Sequence, residues 1–315
     1  MMSEKIVIAL GGNALQAGNG AASAKEQLKV VRETSEYIAE LNCRGYEIAV
    51  VHGNGPQVGR LLLASETAKA VTPVLPFDVC GAMSQGYIGY HLQQGLKYAL
   101  NKRNKQVPVV SIVTQMVVEK NDPAFRHASK PIGPFYTEEE AHALEKERGY
   151  QMAEDSGRGW RRVVSSPLPR KIVEIDSIKK LWESTIVIAC GGGGVPVIEN
   201  DNGLLEGIAA VIDKDFSAEL LAEQIDADVL MILTSVEKVA VNYNTPAQKD
   251  LSAMTLTQAT QYMHEGQFAA GSMLPKVQAA MKFVRSNPEK RAIITSLDKA
   301  IDALEDKAGT VVTFA

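Results

Sequence analysis

Short apolar runs alternate with longer amphipathic stretches along this chain. Lys5–Leu10 reads KIVIAL and ends in Gly11-Gly12. An apolar run of that length, rich in Ile and Val and closed by glycines, predicts a buried parallel strand entering a tight turn. Leu28, Val31, Ser35, Ile38 and Leu41 then recur at helical spacing, and Gly45 stands where a C-terminal cap belongs. Tyr46–Val51 (YEIAVV) predicts a second strand, which runs into His52-Gly53-Asn54-Gly55. Helices are predicted over Gln57–Ala70 and Ala82–Leu100, and a β-rich run over Val107–Val118.

The alternation returns in the second half. Thr185–Cys190 (TIVIAC) predicts a strand ending in Gly191–Gly194, Asp213–Gln224 a helix, and Val229–Leu233 (VLMIL) a buried strand. A helix over Leu274–Arg285 and strands over Arg291–Thr295 and Thr310–Phe314 complete the series. Strands alternating with helices predict an α/β fold, a three-layer αβα sandwich around a mostly parallel sheet. VIALGGN near the start and VIACGGGG in the second half are two ligand-facing strand ends of one sheet, not a repeat array.

Lys120–Arg170 breaks this rhythm. It holds KPIGPF, DSGRGWRR and SSPLPR, dense in Gly, Pro, Ser and Arg. Only Thr137–Arg148 inside it has helical character, with Thr137 and Glu140 spaced as a capping box. The prediction is one domain over residues 1–315 with a small protruding subdomain inserted at about 120–170. Excursions of that length are uncommon without function, which favours a lid or a substrate clamp over a passive loop.

Composition narrows the partners. The 315 residues are 45% hydrophobic and 22% charged, and the net charge is −4. No basic block stands out, so no nucleic-acid footprint is predicted. No apolar run approaches the ~20 residues of a membrane span, and no charged-then-apolar leader precedes Lys5, so no signal peptide is predicted. The three cysteines (Cys43, Cys80 and Cys190) form neither a CxxC nor a zinc spacing. Together these features predict a soluble cytoplasmic protein.

Candidate chemistry sits at the glycine turns. Gly11-Gly12-Asn13, Gly53-Asn54-Gly55 and Gly191–Gly194 all fall at carboxyl ends of predicted strands, where open α/β sheets bind ligands. Each turn alone could be a plain βα connection. Three at three strand ends point to an anion held by backbone N–H groups and helix N-termini. The phosphate loop GxxxxGK(S/T), the GxGxxG spacing, HExxH, GxSxG and the protein-kinase set are all missing. His52 could touch substrate, but a structural histidine at a strand end is the commoner case. Three lysines add positive evidence. Lys214, between Asp213 and Asp215, stands at a predicted helix start, where the dipole repels a cation unless an anion compensates it. Lys276 follows a glycine–proline turn in GSMLPK, and Lys130 opens KPIGP in the inserted segment.

IALGGNAL, VVHGNGPQVG, KPIGPF, EDSGRGWRRVV, CGGGGVPV, AVIDKD and GSMLPK, in that order, closely resemble the carbamate kinases of the amino-acid-kinase superfamily. The likeness runs from Lys5 to Phe314. The resemblance implies reversible phosphoryl transfer between ATP and carbamate, giving ADP and carbamoyl phosphate, with Mg²⁺ held mainly by phosphates and water. It implies that Lys214 and Lys276 hold the transferring phosphoryl group, that Asp215 orients both, and that Lys130 reaches the carbamate. By the same resemblance Gly11, Gly12, Asn13, Gly53, Asn54, Gly55, Gly191, Gly192 and Gly193 line the carbamate and phosphoryl site in the N-terminal half. Asp213, Thr234, Tyr243, Met273 and Lys276 would then serve the nucleotide over about 213–315. A homodimer running toward ATP synthesis in arginine, agmatine or purine breakdown is implied as well. The alternatives are another superfamily kinase acting on an amino-acid carboxylate, and a non-catalytic nucleotide or carbamoyl-phosphate sensor.

Overall fold

The computed structural model describes residues 4–15, 23–155 and 157–315. The chain opens with β1 (Lys5–Leu10), a single 3-10 turn at Gly12–Ala14 and α1 (Ala24–Cys43). Both ends of α1 are closed by local chemistry. The Ser23 hydroxyl accepts from the Glu26 N–H at 3.3 Å, and the Ser23 N–H donates to the Glu26 carboxylate at 2.6 Å. At the far end Gly45 takes φ +99°, so the Tyr46 N–H can reach back to the Leu41 carbonyl at 3.3 Å. β2 (Glu47–His52), α2 (Gly55–Thr67), α3 (Phe77–Lys102), β3 (Val109–Ser111) and β4 (Gln115–Val118) follow.

Next come β5 (Lys130–Tyr136), α4 (Glu138–Arg148), β6 (Met152–Glu154), β7 (Trp160–Val164), β8 (Pro169–Ile172), α5 (Ile175–Trp182) and β9 (Ile186–Ile188). β10 (Val195–Glu199), β11 (Leu205–Gly207), α6 (Lys214–Gln224), β12 (Val229–Thr234), β13 (Val239–Val241) and β14 (Lys249–Leu251) lead into the last third. β15 (Ala253–Thr255), α7 (Leu256–His264), α8 (Met273–Ser286), β16 (Arg291–Ser296), α9 (Ala300–Leu304) and β17 (Thr310–Thr313) close it.

The central sheet has eight strands in the order β15-β17-β16-β12-β1-β2-β9-β3. All its pairings are parallel except β16 with β17. The side-chain period of two divides β1 between two cores. Val7 and Ala9 pack with α5, α6, α7 and α8, whereas Ile6, Ile8 and Leu10 pack with α1, α3 and α9. That is the three-layer αβα arrangement. A second sheet, β11-β10-β4-β8, and a small antiparallel sheet, β5-β7-β6, lie beyond it. The small sheet leans on α2 where Gly59 meets Gly133 (φ +72°) backbone to backbone, with no room for a Cβ on Gly59. Glu66 at the end of α2 holds the same unit through Arg162 at 3.2 Å and a hydrogen bond from the Tyr150 hydroxyl.

Several predicted boundaries move. Val107–Val118 is two strands in two sheets, because the chain turns out at Thr114. There the Gln85 side chain replaces a neighbouring strand, accepting from the Thr114 N–H at 2.8 Å and donating to its carbonyl at 2.9 Å. α2 begins at Gly55 with Pro56 in its first turn, where a missing N–H costs nothing, and ends at Thr67 rather than Ala70. α3 starts five residues before the predicted Ala82. Pro275 does not make a turn. It lies in the first turn of α8, and the bend before the helix falls at Gly271-Ser272.

Candidate active site

Four neighbouring parallel strands, β12, β1, β2 and β9, end along one edge of the central sheet, which brings Thr234, Gly11, Gly53 and the turn after Ile188 side by side. Glycine is required at two of these ends by close approach. A Cβ on Gly11 would sit 2.8 Å from the Leu233 carbonyl oxygen, and one on Gly192 (φ +65°) would collide with the Asn54 side chain. The third turn runs through positive φ at Cys190, Gly192, Gly193 and Gly194.

α6 enters this edge from below. Asp213 caps it, accepting from the Asp215 N–H at 3.0 Å. Asp215 is 1% exposed and takes two ammonium groups: Lys214 at 2.5 Å on one oxygen and Lys276, from α8, at 3.0 Å on the other. Lys130, the first residue of β5, reaches across to Asp213 at 2.5 Å. Three ammonium groups thus face two carboxylates, leaving one positive charge in excess. Burial drives the Asp215 carboxyl upward, but the two lysines outweigh it and hold the group well below the usual carboxylate range. Burial pulls the Lys214 ammonium below the ordinary lysine range, against the opposing pull of Asp215. Burial pushes Lys276 the same way, but Asp215 and Asp213 overcome it and raise the group.

The groups line three connected hollows. One of about 120 Å³ is walled by Gly53, Asn54, Gly55, Gly192, Asp213 and all three lysines. A second, of about 220 Å³, is formed by Gly11, Gly12, Thr234 and Ser235, and shares Lys214 and Lys276 with the first. A third, of about 430 Å³, continues from Thr234 and Ser235 to Tyr243, Gln267 and Met273. The residues singled out in the sequence therefore converge, with four qualifications. Gly191 and Gly193 stand behind the wall, packed on His52 and the Ile212 carbonyl. Asp213 lines the small hollow and not the one with Tyr243. Lys276 lines the two small hollows and not the large one. The Asn13 side chain lies outside the described residues.

His52 is 1% exposed and donates from Nδ1 to the Gly53 carbonyl at 2.9 Å. Burial lowers its pKa to about 4, so it is a neutral structural group. Arg161 was not singled out from the sequence. Its Nη1 pairs with Asp155 at 3.1 Å and its Nε donates to the Gly133 carbonyl at 3.2 Å. Its buried Nη2, near Gly55, has no partner among the described residues. Three arginines within DSGRGWRR, from a chain with no other such cluster nearby, were the available signal. Asp213 and Asp215 have every carboxylate oxygen engaged, and among the described residues no group of three or more His, Cys, Asp or Glu could hold a metal. Nor is any described helix long and apolar enough to cross a membrane.

Comparison with known proteins bears on this geometry. The model of the amino acid kinase family matches residues 4–296. Carbamate kinase of Clostridium perfringens is 55% identical over 312 residues, spanning 98% of this chain and 99% of that one. Carbamate kinase of Pyrococcus horikoshii is 52% identical over 315 residues, 99% of this chain and all of the other. Among solved structures, carbamate kinase from Giardia lamblia bound to AMP-PNP superposes with a TM-score of 0.90 at 41% identity, covering 100% of this chain and 99% of that one.

Proposed function

Because the chain belongs to the amino acid kinase family, within its carbamate kinases, we propose that the three hollows divide one phosphoryl transfer between them. The adenine and ribose of ATP or ADP occupy the large one, beside Thr234, Tyr243 and Met273. The transferring phosphoryl group rests over Gly11 and Gly12, held by Lys214 and Lys276. Carbamate or carbamoyl phosphate lies against Gly53, Asn54, Gly55 and Gly192, under Lys130. Asp215, at the wall of the carbamate hollow, orients the two lysines.

The observation that supports this division is the single buried carboxylate shared by Lys214 and Lys276 where the hollows meet. Carbamate is already an anion, so it needs no general base to become a nucleophile. The obstacle is charge. Two unit charges ~4 Å apart repel by ~1 kcal/mol in water and by ~4 kcal/mol at an effective dielectric near 20. Fixed ammonium groups and backbone N–H groups aimed at the transferring oxygens lower that barrier, and they need no reorganisation to do so. Mg²⁺, arriving on the nucleotide, supplies further neutralisation of the phosphate charge. With every oxygen of Asp213 and Asp215 engaged, phosphate oxygens and water would hold it.

The enzyme works as a cytoplasmic homodimer, in the direction of ATP synthesis from carbamoyl phosphate of arginine, agmatine or purine breakdown. Support for the dimer is the outer face of α3, where Val79, Met83 and Tyr90 recur at helical spacing and stand 38%, 44% and 55% exposed. The inserted unit and its Lys130 act as the substrate clamp. The deciding assay is ATP formation from ADP and carbamoyl phosphate with Mg²⁺. Binding of both ligands without turnover, or phosphorylation of an amino acid instead, would overturn the assignment. A mass in solution of 34.0 kDa rather than twice that would overturn the dimer.

A further inference from the structure

α6 and α8 are joined by a second ion pair that the reaction does not use. Glu219 lies one turn after Asp215 on α6, so the two carboxylates stack on one helix face, about 6 Å apart along the axis. Asp215 takes Lys276 of α8, and Glu219 takes Lys282 of α8 at 2.6 Å. The pairs occur in the same order along both helices and form a ladder of two rungs, the upper one in the site. The Glu219 side chain is fully buried, while Lys282 is half exposed. Oε1 of Glu219 meets no second cation: apart from the Glu223 carboxyl, one turn on, which presses toward the same place, it has no hydrogen-bond partner among the described residues. Burial, with Glu223 against Lys282, raises the Glu219 carboxyl to about 7.

A carboxylate placed so deep, half satisfied, is an expensive way to join two helices. Apolar residues of similar volume would pack as well at lower cost. What an ion pair adds over apolar packing is register, because only a limited range of helix heights keeps the ammonium within hydrogen-bond reach of the buried carboxylate. We propose that Glu219 and Lys282 are positioning residues for phosphoryl transfer, fixing the height of α8 against α6 so that the Lys276 ammonium meets the transferring group. The proposal rests on the assignment of Lys276 to that group.

Steady-state kinetics of the full-length enzyme with ADP and carbamoyl phosphate test it. Glu219→Gln and Lys282→Met are each expected to lower kcat between about tenfold and a hundredfold, the cost of a misplacement near 1 Å. KM for both substrates should stay within about twofold, with kcat expressed per folded molecule, because a smaller folded fraction would by itself lower apparent kcat at unchanged KM. Lys282 is half exposed, so Lys282→Met keeps the test open should Glu219→Gln fail to fold. In a Lys276→Ala background the Lys282→Met change should add almost nothing, because the group it positions is gone. Unchanged kcat in Lys282→Met overturns the proposal. So does an equal loss in both backgrounds, which would mean that the rung acts elsewhere. Near-normal turnover in Lys276→Ala alone would instead remove the underlying assignment.

Discussion

The cations on the two sides of the site are held very differently. Lys214 and Lys276 rise from helices whose inner faces belong to the main core, and both are tied to a carboxylate that is 1% exposed. Lys130 begins a three-stranded sheet that shares only a small apolar core with α2, Cys80 of α3 and Val211, and its ammonium is anchored by one ion pair to Asp213. The first arrangement resists thermal displacement and keeps its dipoles aimed before substrate arrives, as phosphoryl transfer requires. On the clamp reading proposed above, the second yields by small movements of a light element to admit and release a substrate. One pocket therefore combines a fixed electrostatic floor with an adjustable wall.

Removing the floor should cost most. Lys214→Ala is expected to lower kcat about a thousandfold while leaving the melting temperature close to that of the parent. Near-normal turnover would take this lysine out of the mechanism and dissolve the contrast. The rooted side should also carry a pH signature. His52 has a folded pKa of about 4 against 6.5 in the unfolded chain, so the unfolded state binds more protons between those values. Its contribution is complete above pH 6.5 and is lost as pH falls toward 4, by about 3 kcal/mol at most. Urea unfolding at pH 7, 5.5 and 4 should show that limb in the parent and not in His52→Gln. Equal slopes would mean that the histidine is solvated.

On the adjustable side, Lys130→Ala should reduce kcat/KM for carbamoyl phosphate roughly thirtyfold, near 2 kcal/mol, and leave ADP affinity within about twofold. An equal loss for both ligands would place the lysine at the nucleotide. Glu66→Gln should change stability by less than about 1 kcal/mol, since its ion pairs are partly solvated. It should nevertheless speed limited proteolysis within residues 120–170, and saturation with both ligands should slow cutting in the parent. Cutting that ignores both changes would make the small sheet as rigid as the floor.

Local chemistry made much of the fold legible. β1, β12 and β16 are apolar runs that tolerate only a doubly covered strand, and the Thr137–Glu140 box forms at the start of α4 as its spacing implies. Strands of three residues, such as β13 and β14, contain too few positions for any period to show. The Val107–Val118 run concealed its break because Gln85, which accepts the turned backbone, lies some thirty residues upstream. The site was legible in the same uneven way. The neighbour that compensates Lys214 is adjacent in sequence, and the helix-dipole argument found it. The bond from Lys276 to Asp215 spans 61 residues, and that from Lys130 to Asp213 spans 83. No spacing rule reaches across such intervals, and only resemblance to a family suggested that these lysines meet.

The meeting of Gly59 and Gly133 sets a limit on how this enzyme can diverge. The contact works as a fulcrum three residues from Lys130, and its clearance is less than one methyl group. A change as slight as Gly59→Ala would lever the small sheet outward and carry the ammonium with it. With Lys130 at the acceptor, as proposed, a hydrocarbon bump at this pivot would retune the acceptor side without any exchange of charged groups inside the pocket.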